Sequence, residues 1–341
     1  MRLAQVMAGA PAGGAELFFE RLTIALHQAG DAVLPVIRRD SARAGRLRAA
    51  GLAPVEMAFG GPFDLTTARR LRGVLAEFRA DVVIAWMNRA ARFAPRGDHV
   101  LVGRLGGFYD LSYYCQCDHL IANTRGIAAW IVGQGLSPDR VHYLPNFVTD
   151  FATVPAVARE ALGVPAGATL LLGLGRLHVN KGFDVLIRAL PRLPGAHAVI
   201  AGEGPARAAL EQLARAEGVA DRLHLPGWRD DVGALLAAAD IFVSSSRVEP
   251  LGNMVLEAWS AGRPVVAAAA AGPVELITPA DGVLVGVDDP AALAAAISAL
   301  REDRVRATHL AAAGRARFLA EFSAAPVLAR WRTTLRTLEK T

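Results

Sequence analysis

Two series of short apolar runs, separated by stretches of helical character, fill most of this chain and limit what it can fold into. The first series reads RLAQVMAG, AVLPVIR, VEMAF, DVVIAWM, HVLVGRL, DHLIANT and RVHYLPN. The second reads TLLLGLGRL, AHAVIAGEG, RLHLPGW, DIFVSSS, PVVAAAA and GVLVGV. In GGAELFFERLTIALHQAG, Leu17, Leu22, Ala25, Leu26 and Ala29 fall near a 3.6-residue period. Such alternation argues for parallel sheets with helices on both faces, an α/β chain of two doubly wound domains. Between the series, FVTDFATVPAVAREALGVPAG offers turns and no clear strand, so the linker is expected near Phe147 to Pro155. The expected domains are residues 1–150 and 151–324. The amphipathic tail, about 325–341, is expected to cross back onto the first. In doubly wound sheets ligands bind beyond the carboxyl ends of the strands, and two such domains leave a cleft.

Composition narrows the partners. No apolar run approaches the roughly 20 residues of a membrane span. The apolar start is too short for a signal peptide and runs into a Gly-rich turn, so it reads as a first strand of a cytoplasmic enzyme. Cys115 and Cys117, two residues apart, cannot frame a disulfide scaffold, and with His119 they lack a fourth metal ligand at usable spacing. The net charge of +5 lies wholly in the first half. Up to Val148, 17 arginines stand against 12 acids; the remainder has 20 basic and 20 acidic residues. The excess concentrates in RRDSARAGRLR, Arg38 to Arg48. That segment reads as a solvated helix face, or as a surface for anionic lipid or an anionic glycan acceptor. Nucleic acid is not an expected partner, because no recognition motif or aromatic-interleaved basic stripe accompanies the charge.

Three loops carry candidate chemistry. After TLLLGLG comes RLHVNKGFD, where Arg176 and Lys181 precede a helix starting near Phe183. Two cations and a helix N-terminus suit a diphosphate. GAPAGGAELFF follows the first strand, and Gly13 and Gly14 let backbone approach a ligand at a helix start. AGEGP, with Gly204, is a similar turn in the second domain. EPLGNMVLEAWSAGRPVVA sets two carboxylates, Glu249 and Glu257, eight residues apart in an otherwise apolar stretch. Gly252 is expected to open a helix, leaving the amides of Asn253, Met254 and Val255 available to anions. A carboxylate only accepts hydrogen bonds, so it suits pairs of sugar hydroxyls.

Taken together, these stretches resemble the retaining glycosyltransferases of family 4, which have the GT-B fold of two Rossmann-like domains facing a cleft. EPLGNMVLE is similar to that family's E-x7-E motif, GRLHVNKGFD to its GRL…KG-D loop, and GGAE to its Gly-rich first turn. ADIFVSSS and AGRPVVA match in the same order. The resemblance covers the whole chain and is strongest from Thr169 to about Phe322.

It implies transfer of a sugar from a nucleotide diphosphate to a glycan or lipid-linked acceptor, with surface-polysaccharide or lipopolysaccharide synthesis as the setting. The basic segment Arg38 to Arg48 adds an expected peripheral contact with an anionic membrane. Arg176 and Lys181 would bind the donor diphosphate, helped by Gly14. Glu249 would contact the donor sugar, with backbone from Leu251 to Met254 holding sugar and phosphate. Glu257 would bind the ribose hydroxyls, and the backbone from Gly227 to Arg229 would lie near the base. Many members carry a first-domain histidine that VGRLGGFYD lacks; Arg104, or the amides of Gly106 and Gly107, would take over its work. No cofactor or metal is expected: no Asp-x-Asp motif follows a strand at the donor site, and VDDP reads as a turn. A GT-B sugar-nucleotide epimerase and a non-catalytic sugar- or nucleotide-binding protein remain open alternatives.

Overall fold

The computed structural model describes residues 1–10, 13–61 and 64–338. The chain forms two compact units. One runs from Met1 to Phe147 and is rejoined by the C-terminal stretch from Ala324; the other is continuous from Val148 to Ser323.

The first unit is built on seven strands: β1 (Arg2–Met7), β2 (Ala32–Arg38), β3 (Val55–Met57), β4 (Val82–Trp86), β5 (Val100–Leu105), β6 (His119–Ala122) and β7 (Val141–Tyr143). Every pairing is parallel, in the order β3-β2-β1-β4-β5-β6-β7. These are the strands that the apolar runs predict. Pro35 lies inside β2, which pairs with β3 only through Val36 to Arg38. The imino nitrogen therefore sits where that side of β2 has no partner strand, the position at which a sheet tolerates proline.

The helix Gly14–Gln28 packs through Phe18, Leu22 and Leu26, which are all buried at i, i+4 and i+8. Leu17, assigned to this stripe by the sequence period, is 42% exposed. Its five-residue spacing to Leu22 puts it on the outer side of the turn. A further helix, Met87–Phe93, lies between β4 and β5; at seven residues it is too short to show a period. The C-terminal helix Ala324–Thr337 covers this unit with Val327, Trp331 and Leu335. Trp331 stacks on Trp86, with ring centroids 6.4 Å apart and planes 6° from parallel. Phe18 completes the group, edge-on to Phe147 at 5.3 Å.

The second unit carries β8 (Thr169–Leu174), β9 (Ala196–Ala201), β10 (Leu223–His224), β11 (Ile241–Ser244), β12 (Val265–Ala268) and β13 (Val283–Val285). Its parallel order is β10-β9-β8-β11-β12-β13. Leu170, Leu172 and Leu174 feed one core and Leu171 the other, as a strand covered on both faces requires. In each sheet the winding direction reverses once, between β1 and β4 in the first and between β8 and β11 in the second. Among the described residues no helix is long and apolar enough to cross a membrane.

Candidate functional site

The reversal between β8 and β11 brings two loops together. The loop after β8 makes a single 3-10 turn, Val179–Lys181, and ends at Gly182 before the helix Phe183–Ala189. Gly182 has φ +59, and a β-carbon there would lie 2.1 Å from the Ser245 carbonyl oxygen. Only glycine allows this left-handed turn and this close approach. The loops are then stitched by main chain: the amides of Arg247 and Val248 donate to the Asn180 carbonyl at 2.8 and 3.1 Å. The Ser245 hydroxyl donates to the Lys181 carbonyl at 3.1 Å.

This seam carries Lys181 to Glu249. The ammonium donates to Glu249 Oε2, and the two side chains are only 20% and 11% exposed. Arg176 stands exposed in the same loop, with no side-chain partner among the described residues.

Arg247, which the sequence reading passed over, clamps the seam. Its guanidinium makes two 2.7 Å bonds to the Asp184 carboxylate, donates to the Val179 carbonyl at 2.8 Å and reaches Asp288 at 2.6 Å. The bond to Asp184 is the main reason its pKa is raised above the ordinary arginine value. Burial pushes Asp184 up, but hydrogen bonds from Arg247 and Arg188 outweigh it and hold the carboxyl below its usual range. The sequence did hold a signal, an arginine two residues before Glu249 and an aspartate three after Lys181.

Beyond Glu249 the chain is fixed by the helix Ala271–Leu276. The amide of Gly272 donates to the Glu249 carbonyl at 2.7 Å. Gly252, at φ +91, caps the helix Asn253–Ser260. Of the three amides expected to be available here, that of Val255 donates to the Gly252 carbonyl at 2.9 Å. The tight cap uses it, so it is not open to an anion. Met254 is half-buried and Leu251 buried. Glu257 lies in the second turn, half-buried, while its neighbours Val255, Leu256, Ala258 and Trp259 are buried. Gly204 lies in the turn after β9. Arg229 follows β10, and its guanidinium is engaged by the Asp231 carboxylate at 2.7 and 2.5 Å.

The first unit has its own cluster at the ends of β1 and β5. Gly13 caps the helix Gly14–Gln28, whose first turn buries Glu16. Glu16 Oε1 accepts the Ala10 amide at 2.9 Å. A β-carbon on Gly9 or Gly13 would fall 2.2 or 2.4 Å from this carboxylate. Arg104, near the end of β5, is 1% exposed. Its guanidinium lies against Trp86 and Phe18 and donates to Asn146 Oδ1 at 2.5 Å. Burial lowers its pKa to about 10, against the opposing pull of Tyr109, Tyr114 and Glu16. Gly106 leaves room for it, since a β-carbon there would meet Nη1 at 2.7 Å.

The basic segment divides in two. Arg43 is buried against Glu20 at 3.0 Å and Asp40 at 3.3 Å, Arg46 reaches Glu20 at 2.6 Å, and Arg48 reaches Glu56 at 2.9 Å. Cys115 is exposed and Cys117 buried, both reduced; burial pushes the Cys117 thiol up to about 12. Among the described residues no group of three or more His, Cys, Asp or Glu converges at metal-binding distance.

Known proteins give the same picture of the chain. A profile described as Glycosyltransferase Family 4 matches residues 12–150, and one described as Glycosyl transferases group 1 matches 168–303. Two curated relatives come from Rhizobium meliloti (strain 1021), the lipopolysaccharide core biosynthesis glycosyltransferases LpsD and LpsE. LpsD is 37% identical over 320 residues, 91% of either chain. LpsE is 33% identical over 320 residues, 91% of this chain and 92% of its own. HepE of Anabaena, solved in complex with UDP and glucose, superposes with a TM-score of 0.85 at 22% identity, covering 99% of this chain and 100% of that one.

Proposed function

This chain belongs to the group 1, family 4 glycosyltransferases and has their GT-B fold, and from that premise we propose which reaction it runs. It moves a sugar, with retention at the anomeric carbon, from a nucleotide diphosphate to a glycan or lipid-linked acceptor in lipopolysaccharide or related surface-glycan assembly. The relatives named for lipopolysaccharide core synthesis support that setting, and the neighbour holding UDP and glucose supports the donor class.

The observation that carries the reading is the apposition of Lys181 and Glu249 at the β8–β11 reversal, with Arg176 exposed beside them. In the proposed reaction the departing diphosphate gains negative charge. Arg176, Lys181 and the backbone at Gly252, Asn253 and Met254 stabilise it where it forms. Glu249 accepts hydrogen bonds from the donor sugar, and Glu257 from the ribose. Gly13, Gly14, Gly204, Leu251 and the backbone at Arg229 complete the donor contacts. The acceptor attacks from the face the diphosphate leaves, and a donor phosphate oxygen takes its proton. Arg104 is enclosed, so its part is to position the turn at Gly106 and Gly107. The two cations supply the charge that a divalent metal would otherwise bring, so the reaction needs none. The enzyme acts in the cytoplasm, with peripheral contact at an anionic membrane.

The test is product analysis with and without acceptor, using UDP-glucose and neighbouring nucleotide sugars on core oligosaccharide acceptors. Transfer with an unchanged anomeric configuration by NMR is expected. Inversion would defeat the retaining assignment. Free nucleotide released without acceptor would mark an epimerase, and binding without turnover a sugar- or nucleotide-binding protein.

A further inference from the structure

At the carboxyl ends of β1, β2 and β3 the first unit has a surface cavity of about 670 Å³, between Gly9, the segment Arg38–Arg43 and Ala58. That size is within the roughly 300–1,000 Å³ usual for small-molecule sites. Two arginines on its wall, Arg38 and Arg39, are exposed and have no side-chain partner among the described residues. Their neighbours are not in that state. Asp40, the one acid on this wall, accepts the Arg43 amide at 3.0 Å and pairs with the Arg43 guanidinium. Arg43 also donates to the Ala10 carbonyl at 2.8 Å, tying the segment to the loop after β1. The acid is thus committed to a buried arginine, and two positive charges face the cavity without an internal counterion. Ser41 adds a hydroxyl at the same rim.

We propose that this cavity binds an oxyanion, phosphate or carboxylate, carried on the acceptor glycan. Two adjacent guanidiniums offer forked donors that match either group, and charge-assisted bonds of this kind are the strong ones. Its lining comes from the ends of β1, β2 and β3 and from the start of the helix Ser41–Ala49, and a recess of this volume suits a sugar-sized group better than the flat face of a bilayer. Calling the ligand an acceptor rests on the transferase reading above; the oxyanion site itself stands on the cavity and its arginines.

The experiment uses the full chain and an R38Q/R39Q variant, both substitutions being at exposed positions. Calorimetry would compare glucose 6-phosphate, glucuronate, glucose and inorganic phosphate, with UDP titrated in parallel. Flotation with vesicles of three parts neutral to one part anionic phospholipid forms a second arm. The expected result is that the two charged sugars bind, glucose does not, and inorganic phosphate binds more weakly than the sugar phosphate. The variant should bind both charged sugars at least tenfold more weakly, with UDP affinity and melting temperature unchanged. Equal binding of glucose and glucose 6-phosphate would overturn the proposal, as would a sugar-phosphate affinity that the variant retains. Loss of vesicle flotation with sugar-phosphate binding intact would reassign the arginines to a lipid surface. Inorganic phosphate binding as tightly as the sugar phosphate would reduce the site to a free-phosphate site. Failure of UDP alone to bind would sink the donor-site reading and leave the oxyanion site standing.

Discussion

Lys181 and Glu249, 68 positions apart in sequence, form one ion pair across the seam between the loops after β8 and β11. A donor diphosphate arriving at this seam meets an ammonium already engaged by a carboxylate. In the proposed reaction, binding would exchange one anionic partner for another, with Glu249 released to face the sugar as Lys181 turns to phosphate. Arg176, with no such partner, should give the larger loss of UDP affinity on replacement by alanine. A charge-assisted bond is worth about 1.5–3 kcal/mol, roughly ten- to 150-fold in affinity. Titrating UDP and uridine into R176A and K181A checks this; equal losses for both ligands would remove the diphosphate from these residues.

The two acids should separate kinetically. Glu249→Gln should lower kcat and kcat/KM together while UDP affinity stays within about threefold, because the proposed contact to the donor sugar would strengthen as charge redistributes there. Glu257→Gln should chiefly raise the donor KM. Steady-state kinetics set beside UDP isotherms decide it. If E249Q abolishes UDP binding and E257Q does not, the assignments are reversed.

Arg247 makes its bonds with both arms of the guanidinium, so charge alone will not replace it. R247A should raise the donor KM and lower the melting temperature by a few degrees, since the loops it ties are only partly shielded from solvent. R247K should recover little of either, because an ammonium cannot fork across Asp184. Full recovery in R247K would show that position, and not geometry, is what the seam needs.

Stability should fall as the solution is acidified. His197 Nδ1 and His224 Nε2 lie 3.0 Å apart with rings stacked 7° from parallel. Burial, together with Arg222 beside the first and His197 beside the second, lowers both pKa values below the ordinary 6.5, against an opposing pull from Asp221. Below pH 6.5 the unfolded chain then binds more protons than the folded one, so stability is complete above that value and declines beneath it. Melting curves at pH 7.5 and 5.5 should show this drop. It should shrink in H197Q, although His142 in the first unit, lowered chiefly by burial, leaves a remainder. An unchanged drop in H197Q would exclude the pair as its source.

Removing divalent cations should leave turnover intact if, as proposed, Arg176 and Lys181 supply the positive charge at the leaving group. Assays in chelator, with and without added magnesium or manganese, test it. Loss in chelator with recovery on either metal would require a metal at the donor site.

Much of the fold was legible because both sheets are buried on two faces. A strand covered on both sides reads as an unbroken apolar run, and every such run from RLAQVMAG to GVLVGV became a strand. The helix Met87–Phe93 was not legible, because two turns leave too few residues to show a period. The loops of the candidate site stood out by residue type: Gly182 and Gly252 take the left-handed conformations that only glycine adopts cheaply. Pairwise engagement was hidden. No local pattern tells that Lys181 meets Glu249 across two loops, or that Arg43 and Arg46 share Glu20 on another helix, when the partners are distant in sequence. The charge of Arg38 to Arg48 looked uniform for the same reason, although three of its five arginines are already neutralised by acids elsewhere.

The return of the C-terminal helix to the first unit sets an order of events on the ribosome. Trp331 fills the aromatic cluster of Trp86, Phe18 and Phe147, yet it is synthesised after the whole of the second unit. At about 5–20 residues per second, the second unit takes on the order of ten seconds or more to emerge. Throughout that interval the nascent first unit shows its uncovered tryptophan face to the cytosol, while the uninterrupted second unit can close as soon as it is free of the tunnel. The part made first is the last to be finished, and in that window it is the natural client for a chaperone.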